Sequence, residues 1–500
     1  MTKDKLMANC QAIVPNFEFT EAEIKEAVKN NRLLSMEIEF SLRCNFHCQY
    51  CYIPDKSNFE NELSFEELRD ALLQAKALGV KKIIVLGGEP MLYPQALEMF
   101  KFIRSENLDA EMFTNGFGIT PEVAKQLFDL GVQVVLKMNS RKEDVQDALA
   151  GKKGAYKIIQ DAFNNLRRAG FPTKTKRLGI STIICQQNFQ EIIPMWEWLR
   201  QQGIEPYFEI ITPQGKGREN KWLHVDSVKL KETFFKIAEI DRDKYGIQWD
   251  PQPPLIGIKC LRHQFSCLLN SQGNVLPCVG VNIPLGNIRQ KSLQEILLES
   301  EVMEDLRNYR SNIKGPCREC NKSDTCYGCR GAAYQLTGDY LASDPLCWKN
   351  IERQNDIVHL PVAVDRFIPQ QAPMRVINTL TRMAERSAEI NVTIANDMLF
   401  VREDGTLEEA AYLEMIAQSA AALIGFKKFG VSNTVVDGLL LGAKKLEIFS
   451  KAEIGDILTI AIFKYARYDN FIIVKGRVLR GDELLAQGEL KLWENKGNKI

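Results

Sequence analysis

Five hundred residues with 45% hydrophobic content are enough for two or three domains, each burying its own core. Lysine plus arginine equals aspartate plus glutamate at 64 each, so no net field draws the chain to nucleic acid or to an anionic membrane surface. No apolar run approaches the roughly eighteen residues of a membrane span, and the start, MTKDKLMANCQ, lacks a signal-peptide core, so a soluble cytoplasmic protein is expected.

Residues 1–33 read as an N-terminal extension. From 34 to 225 short apolar runs alternate with amphipathic helical stretches, the pattern of βα units wound into a parallel sheet or partial barrel. The expected strands are Leu34–Leu42, Lys82–Leu86, Ala110–Thr114, Val132–Met138, Leu178–Ile184 and Tyr207–Ile211. Between them the stretch Ser64–Ala77 opens with a capping box, Ser64 and Glu67, and Gly79, Gly131, Gly170 and Gly203 stand where helices should end. Pro213, Gly215 and Gly217 break the pattern, and the Pro-rich stretch Asp250–Pro254 marks a boundary. A cysteine-rich domain over 250–350 follows. A third domain over 360–495 consists of a strand region, a helix over Thr406–Phe426, and strands at Gly438–Ile448, Ile457–Tyr465, Phe471–Leu479 and Glu483–Lys491.

Thirteen cysteines stand against four histidines, and in a reducing compartment thiolates for metal are the better explanation than disulfides. Cys185 lies in an apolar strand and reads as a small buried hydrophobe. The other cysteines, Cys10 aside, form two groups. In the first, Cys44-x3-Cys48-x2-Cys51 supplies three thiolates and leaves one iron of a cubane without a protein ligand, just past the first strand and so at the mouth of a barrel. The alternative, half of a zinc site, lacks a second pair nearby.

These residues, CNFHCQYC, resemble the cysteine motif of the radical S-adenosylmethionine (SAM) superfamily, with Tyr50 before the last cysteine. Gly87-Gly88-Glu89-Pro90 after the second strand resembles that family's segment for the methionine amino group: glycine permits close backbone approach, and Glu89 can accept hydrogen bonds from an ammonium. Thr114-Asn115 and Asn139-Ser140, at the ends of strands three and four, match positions that line the cofactor's ribose and carboxylate; a strand-end Asn or Ser can equally be a helix cap. The resemblance implies a 4Fe-4S cluster on Cys44, Cys48 and Cys51, SAM at its open iron, and an electron donor such as flavodoxin or ferredoxin.

In the second group Cys260, Cys267 and Cys278 lead to Cys317-x2-Cys320-x5-Cys326-x2-Cys329 and then Cys347, enough thiols for two ligated cubanes. The pattern, with Gly273-x4-Cys278, resembles the SPASM extension of radical enzymes that act on peptides or proteins. That resemblance implies one auxiliary cluster on Cys260, Cys267, Cys278 and Cys329, and a second on Cys317, Cys320, Cys326 and Cys347. Two features depart from it: the quartet is one residue short before Cys329, and Cys267 lies unusually close to Gly273. Without Cys267 the first auxiliary cluster would have an open iron. A pair of four-cysteine zinc sites is the alternative. Val279 follows Cys278 where sulfatase maturases carry a catalytic Asp, which argues against formylglycine formation.

The third domain resembles a hotdog fold, and Leu413-Glu414-Met415-Ile416-Ala417-Gln418 resembles the helix motif of β-hydroxyacyl carrier-protein dehydratases. Those enzymes pair the helix carboxylate with a histidine, but none follows His359 here, so dehydration by that dyad is not expected and Glu414 reads as a helix-buried remnant. The expected architecture is thus an α/β partial TIM barrel, a small cysteine-rich SPASM-like domain and an α+β hotdog domain. The expected activity is radical oxidation of an acyl group on an acyl carrier protein, or of a peptide, with a homodimer formed through the hotdog. A non-enzymatic iron-sulfur or zinc module has no use for the GGEP segment or a three-cysteine cluster.

Overall fold

The computed structural model describes residues 19–53, 59–384, 386–429, 438–468 and 470–494; Cys10 and most of the N-terminal extension lie outside them, as does residue 495. Two units are present: Met1–Arg310 with Glu319–Leu336 and Ser343–Gln354, and Ser311–Arg318 with Thr337–Ala342 and Asn355–Ile500.

In the first unit six parallel strands run in chain order, β1 (Ser35–Glu39), β2 (Lys82–Leu86), β3 (Asp109–Thr114), β4 (Gln133–Lys137), β5 (Leu178–Ile184) and β6 (Glu205–Ile210), each paired with its predecessor. Side chains alternate across a strand. Met36, Ile38, Ile83, Val85, Met112, Val134, Leu136, Ile180 and Phe208 belong to one buried apolar core. The intervening residues Glu37, Ile84, Glu111, Phe113, Val135, Lys137, Ser181, Tyr207 and Glu209 line an internal cavity instead. One face of the sheet is therefore apolar and the other largely polar, which is why strands that read as uniformly buried carry six charged or hydroxyl groups inward.

The helix Phe65–Ala77 begins at the capping box foreseen: the Glu67 amide donates to the Ser64 hydroxyl at 3.3 Å, and the Ser64 amide donates to the Glu67 carboxylate at 2.8 Å. The cysteine-rich segment adds three short strands to the same sheet. Strand β7 (Leu268–Leu269) pairs parallel with β1, and β8 (Asn274–Leu276) and β9 (Gly286–Asn287) follow antiparallel.

The second unit has a seven-stranded sheet of β10 (Val362–Ala363), β11 (Thr379–Met383), β12 (Ser387–Thr393), β13 (Gly438–Ile448), β14 (Ile457–Tyr468), β15 (Phe471–Arg480) and β16 (Glu483–Glu494), in the order β10-β11-β12-β14-β15-β16-β13. The helix Glu409–Lys428 packs on it, starting three residues and ending two residues later than the sequence reading. Its seat is set by glycine: Gly476 and Gly488 face each other on β15 and β16, and a Cβ on Gly476 would stand 2.4 Å from Ile416 Cγ2. A long helix on a curled antiparallel sheet is the hotdog arrangement expected. Among the described residues no helix is long and apolar enough to cross a membrane.

Candidate active site

Past β1 the chain turns through Cys44, Cys48 and Cys51, and all three thiols line a cavity of about 330 Å³. The loop is held from beneath by the segment after β2. The Gly88 amide donates to Ser41 O at 2.9 Å and the Glu89 amide to Arg43 O at 2.8 Å. A Cβ on Gly87 would lie 2.5 Å from Ser41 O, and one on Gly88 would lie 2.1 Å from Arg43 O. The two glycines thus allow the approach of one loop to the other, and their backbone also faces the cavity.

Glu89 is fully buried, and its carboxylate accepts from the Thr114 hydroxyl (2.7 Å), the Asn115 amide (2.6 Å) and the Met91 amide (3.1 Å). It ties the end of β2 to the end of β3. Burial pushes its pKa up to about 7 despite these donors. Pro90 opens the short turn of helix Pro90–Leu92 and is buried beside it. Thr114 and Asn115 reach the cavity, and the Asn115 side-chain amide donates to Asn45 Oδ1 at 2.9 Å and lies 3.7 Å from Cys44 Sγ.

Tyr50 lines the cavity, with its hydroxyl 2.5 Å from Asn139 Nδ2. Asn139 and Ser140 are fully buried and are not among the lining residues. Asn139 accepts from the Ile183 amide at 2.9 Å, and the Ser140 hydroxyl donates to Glu191 at 2.7 Å while accepting from the Lys142 amide. Both behave as strand-end fasteners, with Asn139 steadying Tyr50.

Several lining groups went unremarked in the sequence. Lys137 faces the cavity, 3.1 Å from Ser181 Oγ and over the Tyr50 ring at 5.2 Å; desolvation there lowers its pKa, opposed first by the charge of Glu209 and then by those of nearby thiolates, Cys48 and Cys51 among them. Arg262 forms an ion pair with Glu37. Tyr52 donates to Glu39 at 2.6 Å, and Glu39 is pushed up to about 7, first by burial. For the strand residues Glu37, Glu39 and Lys137 the signal was the period of two, a polar residue at alternate positions of an apolar strand; Tyr52 and Arg262 lie outside the strands and carried no such signal.

Cys260, Cys278 and Cys329 line the same cavity. Their neighbourhood is shared, since the charges of Cys260 and Cys278 bear on Cys329 and that of Cys260 on Cys278. Backbone amides aim at sulfur throughout the two groups: Phe46 to Cys44 (3.4 Å), Val281 to Cys278 (3.3 Å), Lys322 to Cys320 (3.5 Å), Gly328 to Cys326 (3.3 Å) and Ala332 to Cys329 (3.3 Å). Such donors favour thiolate over thiol, against the burial that raises the pKa of Cys278 and Cys329, and fit the sulfur ligands of an iron-sulfur cluster. Cys185 is the contrast in geometry: its thiol points at Ile183 O at 3.6 Å. Cys267 is buried in the apolar core and does not line the cavity. Cys320, Cys326 and Cys347 belong to the first unit and Cys317 to the second. Among the described residues no three His, Cys, Asp or Glu side chains converge as the ligands of a single ion do; a cubane takes one thiolate per iron. In the second unit the Glu414 carboxylate accepts from Gln418 Nε2 at 2.7 Å, and Gln418 also donates to Met374 O and accepts from the Val376 amide.

Comparison with known proteins agrees with this geometry. A family model described as the radical SAM superfamily matches residues 38–204, an iron-sulfur cluster-binding domain model, SPASM, matches 260–321, and an ApeP dehydratase model matches 362–499. The AdoMet-dependent heme synthase of Methanosarcina barkeri is 28% identical over 349 residues, 63% of this chain and 96% of that protein. The mycofactocin maturase MftC of Mycolicibacterium smegmatis is 27% identical over 325 residues, 62% of this chain and 81% of that protein. The solved structure of native anSMEcpe with bound AdoMet superposes with a TM-score of 0.51 at 18% identity, over 64% of this chain and 95% of that one, and so shares the fold. The chain carries a radical SAM core, a SPASM domain and an ApeP-like domain of hotdog type, and these imply 4Fe-4S clusters and bound SAM. It is a radical SAM enzyme.

Proposed function

We propose that this enzyme oxidises an acyl or β-hydroxyacyl group carried by an acyl carrier protein, with the reacting end of the substrate in the cavity that both cysteine groups line. The observation that carries the reading is that shared cavity, with Cys44, Cys48 and Cys51 in its wall together with Cys260, Cys278 and Cys329. When bound, the clusters and SAM supply one-electron transfer and reductive cleavage of a sulfonium, and thereby abstraction of a substrate hydrogen atom.

The chain's own residues divide into wall and support. Tyr50, Gly87, Gly88, Thr114 and Asn115 face the cavity and are the residues we assign to SAM. Glu89, Pro90, Asn139 and Ser140 stand behind them and position them. The remaining wall presents Lys137, Glu209, Glu111 and the Glu37–Arg262 pair. Buried charges facing hydrocarbon would be costly, so the wall suits a polar group such as a hydroxyl beside a thioester better than the far end of a saturated chain. We assign carrier recognition to the ApeP-like domain, because its helix carboxylate is held by Gln418 and no histidine follows His359 to complete a dyad.

A second reading, modification of a peptide, is favoured by the likeness to a maturase and by the SPASM domain. In it the C-terminal domain serves only to join two copies. Flavodoxin or ferredoxin is the reductant in either case.

The test is 5'-deoxyadenosine formation by the anaerobically reconstituted, reduced protein, with and without a pool of acylated carrier proteins. Stimulation by the pool is expected; cleavage that only peptides stimulate would replace the first reading by the second. Cys44→Ala should abolish cleavage and leave the auxiliary iron in place, and retained cleavage would remove the cluster from that loop.

A further inference from the structure

We infer that His263, and not Cys267, is the fourth protein ligand of the auxiliary cluster built on Cys260, Cys278 and Cys329. The inference rests on the reading that those three thiols hold a cluster. It departs from the all-cysteine set that the SPASM resemblance implies.

Three observations carry it. His263 is 2% exposed and lines the cavity beside the three cysteines, yet neither of its ring nitrogens has a hydrogen-bond partner among the described residues. A buried polar atom without a partner is destabilising, and such atoms in native proteins call for an explanation, an unseen metal group among them. Neutral imidazole is a metal ligand, and histidine replaces cysteine on iron-sulfur clusters elsewhere.

The ring is also placed beside the thiols. His263 meets the Tyr327 ring edge-on at 5.6 Å, and the Tyr327 hydroxyl lies 3.9 Å from Cys260 Sγ. The chain following Cys278 is pressed on the chain following Cys329, since a Cβ on Gly280 would stand 2.6 Å from Gly331 Cα. Cys260-x2-His263 brings both residues from one short turn, with His263 in the helix Arg262–Gln264.

Cys267, by contrast, sits 1% exposed at the foot of β7, where its carbonyl accepts from the Glu37 amide at 2.9 Å. Its side chain packs in the barrel core, it does not line the cavity, and among the described residues no backbone amide is aimed at its sulfur. Bringing that sulfur to the cavity would require breaking the pairing of β7 with β1.

The experiment uses the full chain carrying Cys44→Ala, Cys48→Ala and Cys51→Ala, so that only auxiliary clusters remain, and reads iron content and pulsed EPR of the reduced protein. Expected are a strong nitrogen coupling on an auxiliary signal and loss of that coupling in His263→Cys with iron retained. The potential should fall in His263→Cys, since an anionic thiolate replaces a neutral ring. Cys267→Ala should leave both iron and signal unchanged. Absence of the nitrogen coupling, or loss of one cubane's iron in Cys267→Ala, would overturn the assignment, and neither depends on His263→Cys folding. Cys260→Ala separates the two levels: if it removes no iron, the auxiliary site itself is misread and the ligand assignment falls with it.

Discussion

At the scale of single residues, the barrel interior concentrates ionisable groups that burial holds away from their ordinary states. Glu39 and Glu89 are both pushed up to about 7 from an ordinary value of 4.5. A carboxyl with a raised folded-state pKa binds its proton more tightly in the folded protein. Its contribution to stability is therefore fully present below about 4.5 and is lost as pH rises to about 7. Glu39→Gln keeps an acceptor for the Tyr52 hydroxyl and removes the ionisation. We expect the variant to unfold in denaturant with a flatter pH dependence between those limits, gaining on the order of 3 kcal/mol at neutral pH at most; an unchanged slope would mean that Glu39 ionises freely in the folded state. The same scale separates working from inert cysteines. Amides point at the sulfur of Cys278 and Cys329, whereas the Cys185 thiol points at a carbonyl.

At the scale of elements, glycine does the most specific work. Gly87 and Gly88 let the segment after β2 lie directly on the cysteine loop, so the motif read as a ligand cradle is also the loop's foundation. In the second unit Gly476 and Gly488 open a trough in β15 and β16 into which Ile416 fits. Gly476→Ala should destabilise that unit by about 1–3 kcal/mol through overpacking. Adding Ile416→Val should return part of the loss, because the two side chains meet directly. Differential scanning calorimetry of the single and double variants checks this; additive losses would place the strain elsewhere.

At the scale of the whole molecule, the exposed edge of the second sheet stands out. Strand β13 is its terminal strand, eleven residues long, and Leu439, Leu440 and Leu441 on it are exposed, Leu439 at 61%. Long apolar edge strands invite pairing with another chain. We expect the full-length protein to be a homodimer through this edge, and Leu439→Lys with Leu441→Lys to dissociate it in analytical ultracentrifugation while cofactor cleavage continues. A monomeric parent protein would refute the pairing.

The sequence alone determined the features that live within one stretch of chain. The three thiolates spaced over Cys44–Cys51, the Gly87–Pro90 segment after a strand, the capping box at Ser64 and the alternation of strands and helices are local, and local spacing constrains them directly. Tertiary structure alone decided which groups share a site. The inward face of each barrel strand is chosen by how the sheet closes, so Lys137, Glu209 and Glu111 became cavity groups only in the fold. The same closure sends Asn139 and Ser140 behind the wall. It also turns the side chain of Cys267 into the core and leaves His263, in the short helix before β7, beside Cys260, a placement set by packing across the fold that spacing between cysteines does not encode.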